Sequence, residues 1–339
     1  KTSSCAVIGR KDGEPCADDG KGCTIGAQCL SGQCQPGKIE RFHAIASPSG
    51  AVVQSVAGAD NGDVYAVGGS AGDKAASWWI SRLQPTSKHL WTLLLTNEVA
   101  HAEARAEKVV RKLTNIYVAG TTGTKNAGLN VKVAVIADDG KKASVSWQKS
   151  FGKQGVDEGA LSLAVRSSGA IATAGWGGTG SSRKMHFIRL TSTGSFIKSR
   201  DITAAGGAAT DLRFRSDGGL VYIGYSKVGG TPRAVFGQLA ADLTPDATVV
   251  KYSHPDGLQA YSMAETVDGW MVAATVAAGS KQRAAWLRLD SKGTLLHMRV
   301  SQLQGAAWGI VRLDKELWAL SGATNPSGGN DNAAIFAVD

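Results

Sequence analysis

Beyond residue 34 this chain of 339 residues has no cysteine: Cys5, Cys16, Cys23, Cys29 and Cys34 are the full set. Nine-tenths of the molecule therefore cannot rely on disulfides or thiolate–metal sites. Nor is there an apolar run of the ~18 residues that would mark a membrane-spanning helix. A 3.6-residue apolar period of useful length is missing too, which excludes a helical solenoid. Although the formal charge is +9, the basic residues are scattered, and the densest groups are the pairs Lys141–Lys142 and Arg183–Lys184. The basic stripe interleaved with aromatics that marks a nucleic-acid binder is absent. The charge fits weak attraction to an acidic glycan or an anionic cell surface. Proline is scarce, 8 residues against 43 glycines without a collagen period, as expected of many short strands joined by tight turns.

The cysteines sit where glycine is dense and no core is available. A small segment of that kind is stabilised by disulfides in an oxidising compartment, so residues 1–36 read as a disulfide-rich module of a secreted or cell-surface protein. The chain starts at Lys1 without Met or signal peptide, so a processed chain is expected. Five is odd, and two bridges leave one thiol for an intermolecular partner. Metal binding is the alternative, but the segment has no Cys-x2-Cys pair and no histidine.

The remainder repeats itself. "VVQSVAGADNGDVYAVGG" from Val52 aligns with "ARAEKVVRKLTNIYVAGT" from Ala104 and "GALSLAVRSSGAIATAGW" from Gly159. The series goes on with "AATDLRFRSDGGLVYIGY" from Ala208, "AYSMAETVDGWMVAATV" from Ala260 and "AWGIVRLDKELWALSGA" from Ala307. Each is an alternating run, a turn, and a second run ending near glycine, which is a hairpin signature. The turn positions Gly62, Thr114, Gly169, Gly218, Gly269 and Glu316 are 52, 55, 49, 51 and 47 residues apart. A second hairpin follows in the units, as in "MHFIRLTSTGSFIKSRDI" and "AAWLRLDSKGTLLHMRV". Four strands per ~50 residues is the dimension of a β-propeller blade.

The spacing thus predicts an all-β, six-bladed propeller over 37–339, with blades near 51–99, 100–155, 156–204, 205–255, 256–304 and 305–339. The last unit lacks a fourth strand, and "KIERFHAI" (38–45) is a spare strand of suitable size. The expectation is that 38–45 completes the sixth blade and leaves no open edge. Positions beside the axis should be small. Three rows read so: Val53, Arg105, Ala160, Ala209, Ala260, Ala307; then Ser55, Glu107, Ser162, Asp211, Ser262, Gly309; then Ala57, Val109, Ala164, Arg213, Ala264, Val311.

With "NGDVYAVGGS", "DGGLVYIGYS" and "AAWLRLDSKGTLLHMRV" the chain resembles bacterial secreted β-propellers of the SBBP or delta-60 repeat type. Its head, "EPCADDGKGCTIGAQCLSGQC", resembles disintegrin-like or EGF-like cysteine-rich modules. The resemblance implies an extracellular or outer-surface location and no particular reaction, because a propeller hosts many functions.

Candidate chemistry is sparse. Glu107 and Asp211 are the two carboxylates of the polar row and could hold Ca²⁺ at a channel mouth; salt-bridging to Arg105 and Arg213 is the plainer reading. His101, with Glu103 and Glu107 near it, is the histidine best placed for metal or acid–base work. Loops at 68–77, 120–130, 175–182, 226–232 and 322–331 should all emerge on one face, and Trp176 opens one of them as a candidate sugar-stacking residue. The leading expectation is a non-catalytic binding or structural module, needing no cofactor, that presents this face to a protein or acidic-glycan partner. The alternative is a Ca²⁺-dependent propeller hydrolase or lyase using Glu107, Asp211 and His101.

Overall fold

The computed structural model describes residues 52–70, 76–84, 88–96, 103–124, 128–203, 206–245, 249–278, 281–312, 318–324 and 332–338. It also describes four short strand segments between residues 24 and 39. Residues 1–46 with 84–89 form one compact unit, and 47–83 with 90–339 form another. In the first unit β1 (Thr24–Ile25) pairs with β4 (Lys38–Ile39), and β2 (Gln28–Leu30) with β3 (Gln33–Gln35). Cys29 and Cys34 are opposite each other in the second of these pairs. Cys5, Cys16 and Cys23 lie outside the described residues, so a disulfide-rich module is not shown.

The second unit is all strand apart from a single 3-10 turn at Gly180–Ser182. Among the described residues no helix is long and apolar enough to cross a membrane. The first sheet runs β5 (Val52–Gly58), β6 (Val64–Ser70), β7 (Ser77–Leu83), β8 (His89–Thr96). The second runs β9 (Ala104–Lys112), β10 (Asn115–Thr124), β11 (Gly128–Asp138), β12 (Ala143–Phe151). The third comprises β13 (Glu158–Val165), β14 (Ile171–Gly177), β15 (Lys184–Leu190) and β16 (Phe196–Ile202). The fourth comprises β17 (Ala208–Phe214), β18 (Leu220–Val228), β19 (Thr231–Leu239) and β20 (Val250–Tyr252). All are antiparallel meanders, and β5, β9, β13 and β17 pack side by side as the inner strands. Apolar side chains of each sheet interlock with the next: Phe187 meets Tyr222 edge-on at 4.8 Å, and Phe236 and Tyr252 pack with Met263 and Trp270. Each such fully buried side chain stabilises the stack by about 1.5–3 kcal/mol.

The last sheet corrects the expected blade count. It has six strands: β21 (Leu258–Glu265), β22 (Gly269–Ala278), β23 (Lys281–Asp290), β24 (Leu295–Arg312), β25 (Trp318–Thr324) and β26 (Asn332–Val338). Strand β24 pairs with β23 up to Gln304 and with β25 from Gly305 onward. The propeller therefore has five blades, with the fifth and sixth repeats fused into one sheet. The reason is local. In three of the four other steps from fourth strand to next inner strand glycine or proline intervenes, as in "GKQGVD" or "SHPDG", whereas "SQLQ" at 301–304 has none and the strand runs on. The expected closure by 38–45 falls mostly outside the described residues. Lys38–Ile39 pairs with Thr24–Ile25, residues 40–45 lie outside the described residues, and β26 pairs with β25 alone among those described.

One irregularity recurs six times. The register slips by one residue between Val53 and Ser55, Ala106 and Lys108, Ala160 and Ser162, Ala209 and Asp211, Ala260 and Ser262, and Ala307 and Gly309. Each slip is a β-bulge, which bends and twists the strand where the sheets converge. Opposite five of the six bulges stands a glycine. A Cβ on Gly68, Gly120, Gly175, Gly224 or Gly322 would lie 1.8, 1.9, 1.9, 2.1 or 1.7 Å from an inner-strand carbonyl oxygen. That close approach is the physical cause of the glycine closing five of the six repeats.

Candidate functional site

The bulges also correct the polar row. In the second repeat the residue just after the bulge is Lys108, not Glu107, because that hairpin turn is one residue shorter. The axial set is therefore Ser55, Lys108, Ser162, Asp211, Ser262 and Gly309. Their side chains fasten one inner strand to the next. Ser55 Oγ accepts from the Val109 N–H at 3.3 Å, Ser162 Oγ from Leu212 N–H at 3.2 Å, and Asp211 Oδ2 from Met263 N–H at 3.0 Å.

Asp211 is fully buried at the centre of this set. Its Oδ1 accepts from Ser162 Oγ at 2.9 Å and Arg213 Nη1 at 2.8 Å, and Lys108 Nζ stands 3.6 Å away. Its Oδ2 accepts from Ser262 Oγ at 3.3 Å. Burial alone would raise its pKa, but Arg213, Lys108, the Met263 N–H and the Ser162 hydroxyl outweigh it and hold the carboxyl at about 2. Glu107 is the bulged residue of β9, and its Oε1 lies 3.5 Å from Arg105 Nε. Burial pushes its pKa up, against Arg105 and with help from Glu103.

Asp211 does not fit a Ca²⁺ site. Asp211 is already saturated by five hydrogen-bond donors or cations on its own and neighbouring strands, two of them positive, and a divalent ion needs oxygens free of such partners. Among the described residues no group of three His, Cys, Asp or Glu is arranged to hold a metal. His101 lies outside the described residues.

A different cluster occupies the loop-face rim of the third sheet. Glu158 opens β13, opposite Gly177; Gly177 is opposite Lys184, and His186 is opposite Asp201. Alternation puts Glu158, Lys184, His186 and Asp201 on one face. His186 Nδ1 is hydrogen-bonded to Asp201 Oδ1 at 2.6 Å, and its Nε2 lies 3.9 Å from Glu158 Oε2. Gly177 leaves the room: a Cβ there would touch Glu158 Cγ at 3.5 Å and His186 Cβ at 3.6 Å. His186 and Glu158 are 3% and 2% exposed, whereas the Asp201 side chain is 35% exposed and has Lys153 Nζ at 3.8 Å. Asp201 is thus a solvent-reaching carboxylate backed by a buried imidazole, a pair able to take up and return a proton.

Trp176 is not the exposed loop residue expected. It lies within β14, largely buried, with the Arg183 guanidinium 4.0 Å from its ring centroid. Sequence reading missed Glu158, Asp201 and Lys108, and counted His186 without a role. The available signal was position: Glu158 at the first residue of an inner strand, His186 two residues into an outer one.

No protein-family model matches the chain, and no curated protein matches it. Among solved structures, it is similar to an ulvan lyase representing a new polysaccharide lyase family. The TM-score is 0.56 with 9% identity, over 88% of this chain and 81% of that one. An α-L-arabinanase from Penicillium chrysogenum, complexed with arabinobiose, aligns at TM-score 0.55 and 11% identity, over 85% and 93%. A GH43 β-1,3-galactosidase aligns at TM-score 0.43 and 12% identity over 68% of this chain. This chain spans about half, 55%, of that protein's length. At such identities the likeness speaks for fold. The chain is a β-propeller. That class accounts for the succession of meanders around inner strands, and its loop face is where the Asp201 cluster lies.

Proposed function

We propose that this propeller cleaves a glycan, as a glycoside hydrolase or polysaccharide lyase, from the rim of its third sheet. The observation that carries the reading is the 2.6 Å pair of His186 with the accessible Asp201, backed by Glu158. Both reactions need a carboxyl or imidazole that exchanges a proton at the linkage, worth about 10²–10⁴-fold in rate. Asp201 is the group able to touch substrate. His186 is a positioning residue, holding Asp201 through one nitrogen while the other faces Glu158. Supporting the reading, two of the structural neighbours are by description an ulvan lyase and an arabinanase. Export belongs to the proposal on cysteine usage, with the head as spacer or docking piece.

The test is product release from a panel of neutral and acidic polysaccharides, followed by reducing ends and by the ultraviolet absorbance of unsaturated ends. The expected outcome is that Asp201→Asn lowers kcat about 100-fold or more. His186→Gln should displace the pH–rate profile while leaving Tm nearly unchanged. Binding without any product would instead favour a non-catalytic glycan-binding module, which the burial of His186 and Glu158 also permits.

A further inference from the structure

We infer that Arg183 forms an anion subsite on the same rim as the Asp201 cluster, over the opposite face of the sheet, which makes the preferred glycan an acidic one bearing carboxylate or sulfate groups. The inference rests on the glycan reading above and adds the substrate class.

Arg183 follows the 3-10 turn at Gly180–Ser182 and sits just before β15. Its guanidinium lies 4.0 Å from the ring centroid of Trp176, which is itself a buried, fixed floor. Stacking of this kind sets the plane of the group before any ligand arrives, so little freedom is lost when a planar anion is bound bidentately. Several other arginines of the sheets are already engaged. Arg82 is held by Asp63 and Asp138, Arg213 by Asp211, Arg288 by Asp268, and Arg189 by the carbonyls of Gly218 and Ala241. Arg183 has no acidic partner among the described residues, and its Nε is buried without a hydrogen-bond acceptor.

Its position connects it to the proposed chemistry. Arg183 is three residues before His186, about 10 Å along the strand. Lys184, exposed and next in sequence, shares a face with His186 and Asp201, and Arg183 stands at the rim over the other. A glycan lying across the rim would meet Lys153 and Lys184 beside Asp201, then Arg183.

The experiment is affinity electrophoresis and titration calorimetry of the full chain with polygalacturonate, dextran sulfate and a neutral arabinan. Two variants are compared with wild type: Arg183→Met, which keeps an aliphatic stem over Trp176, and Arg183→Lys, which keeps charge without the planar fork. Wild type should bind polygalacturonate or dextran sulfate, with Kd raised about 10-fold or more in Arg183→Met and less in Arg183→Lys. Binding to arabinan should not change. Which polyanion binds more tightly separates carboxylate from sulfate recognition, and either preference supports the subsite. The inference is overturned if wild type binds neither polyanion, if Arg183→Met binds them as wild type does, or if it loses neutral glycan equally. Anion binding without cleavage would sink the catalytic reading and leave the subsite standing. Cleavage of neutral glycan indifferent to Arg183→Met would do the reverse.

Discussion

Asp211 carries more of this molecule than its single charge suggests. Its carboxylate ties together the third, fourth and fifth sheets through Ser162, Arg213 and the Met263 N–H. Because its folded pKa is about 2, below the ~3.9 of an unfolded aspartate, its contribution is fully present above pH ~4 and is lost as pH falls toward 2. The size is on the order of 2 kcal/mol. Asp211→Asn should therefore lower neutral-pH stability by about 3 kcal/mol, since Arg213 and Lys108 lose their counter-charge. It should also flatten the acid limb between pH 4 and 2. Urea unfolding across that range checks both; an unchanged acid limb would show that other carboxylates govern it. At this scale the sequence was informative about residue type and misleading about register. Asp211 stands out among alanines and serines, yet Glu107 took the place that belongs to Lys108, because an alignment cannot see a turn shortened by one residue.

The unit of construction is the bulged inner hairpin. Its legible trace was a second strand ending near glycine; its cause, an inner-strand carbonyl crossing within 2.1 Å of where a Cβ would be, is visible in three dimensions alone. Gly175→Ala or Gly224→Ala should thus destabilise by about 2–3 kcal/mol through forced backbone shift. The fifth blade already holds Ala274 at the equivalent place, opposite Ala260, so Ala274→Gly should cost no more than about 1 kcal/mol. Denaturant midpoints of the three variants test the contrast, and equal losses would remove the bulge as the cause. The rim cluster was hidden for a related reason. Glu158, His186 and Asp201 are separated by 28 and 15 residues and meet because three antiparallel registers place them on one face in adjacent rows.

For the molecule as a whole, the described sheets of 47–339 pair with none of the described strands of residues 1–46. Removal of residues 1–46 should consequently leave far-UV circular dichroism unchanged and Tm within a few degrees. A large fall in Tm would restore a closing role to the segment around 38–45. The same logic explains an asymmetry within the ring. Val53 and Val56 of β5 are exposed, whereas the equivalent Ala160 and Leu163, Ala209 and Leu212, and Ala260 and Met263 are buried against a preceding sheet. The first inner strand lacks the cover that the others receive.

What the sequence by itself determined is the strand-and-turn period, the all-β class and the propeller, because alternation, turn glycines and a ~50-residue repeat are local properties. Tertiary structure decided how many blades that repeat makes, since "SQLQ" permits a strand to continue and pairing partners choose whether it does. It also decided which side chains share the axis and which share the rim. Those relations depend on register between strands far apart in sequence, and one slipped residue turns a side chain to the other face.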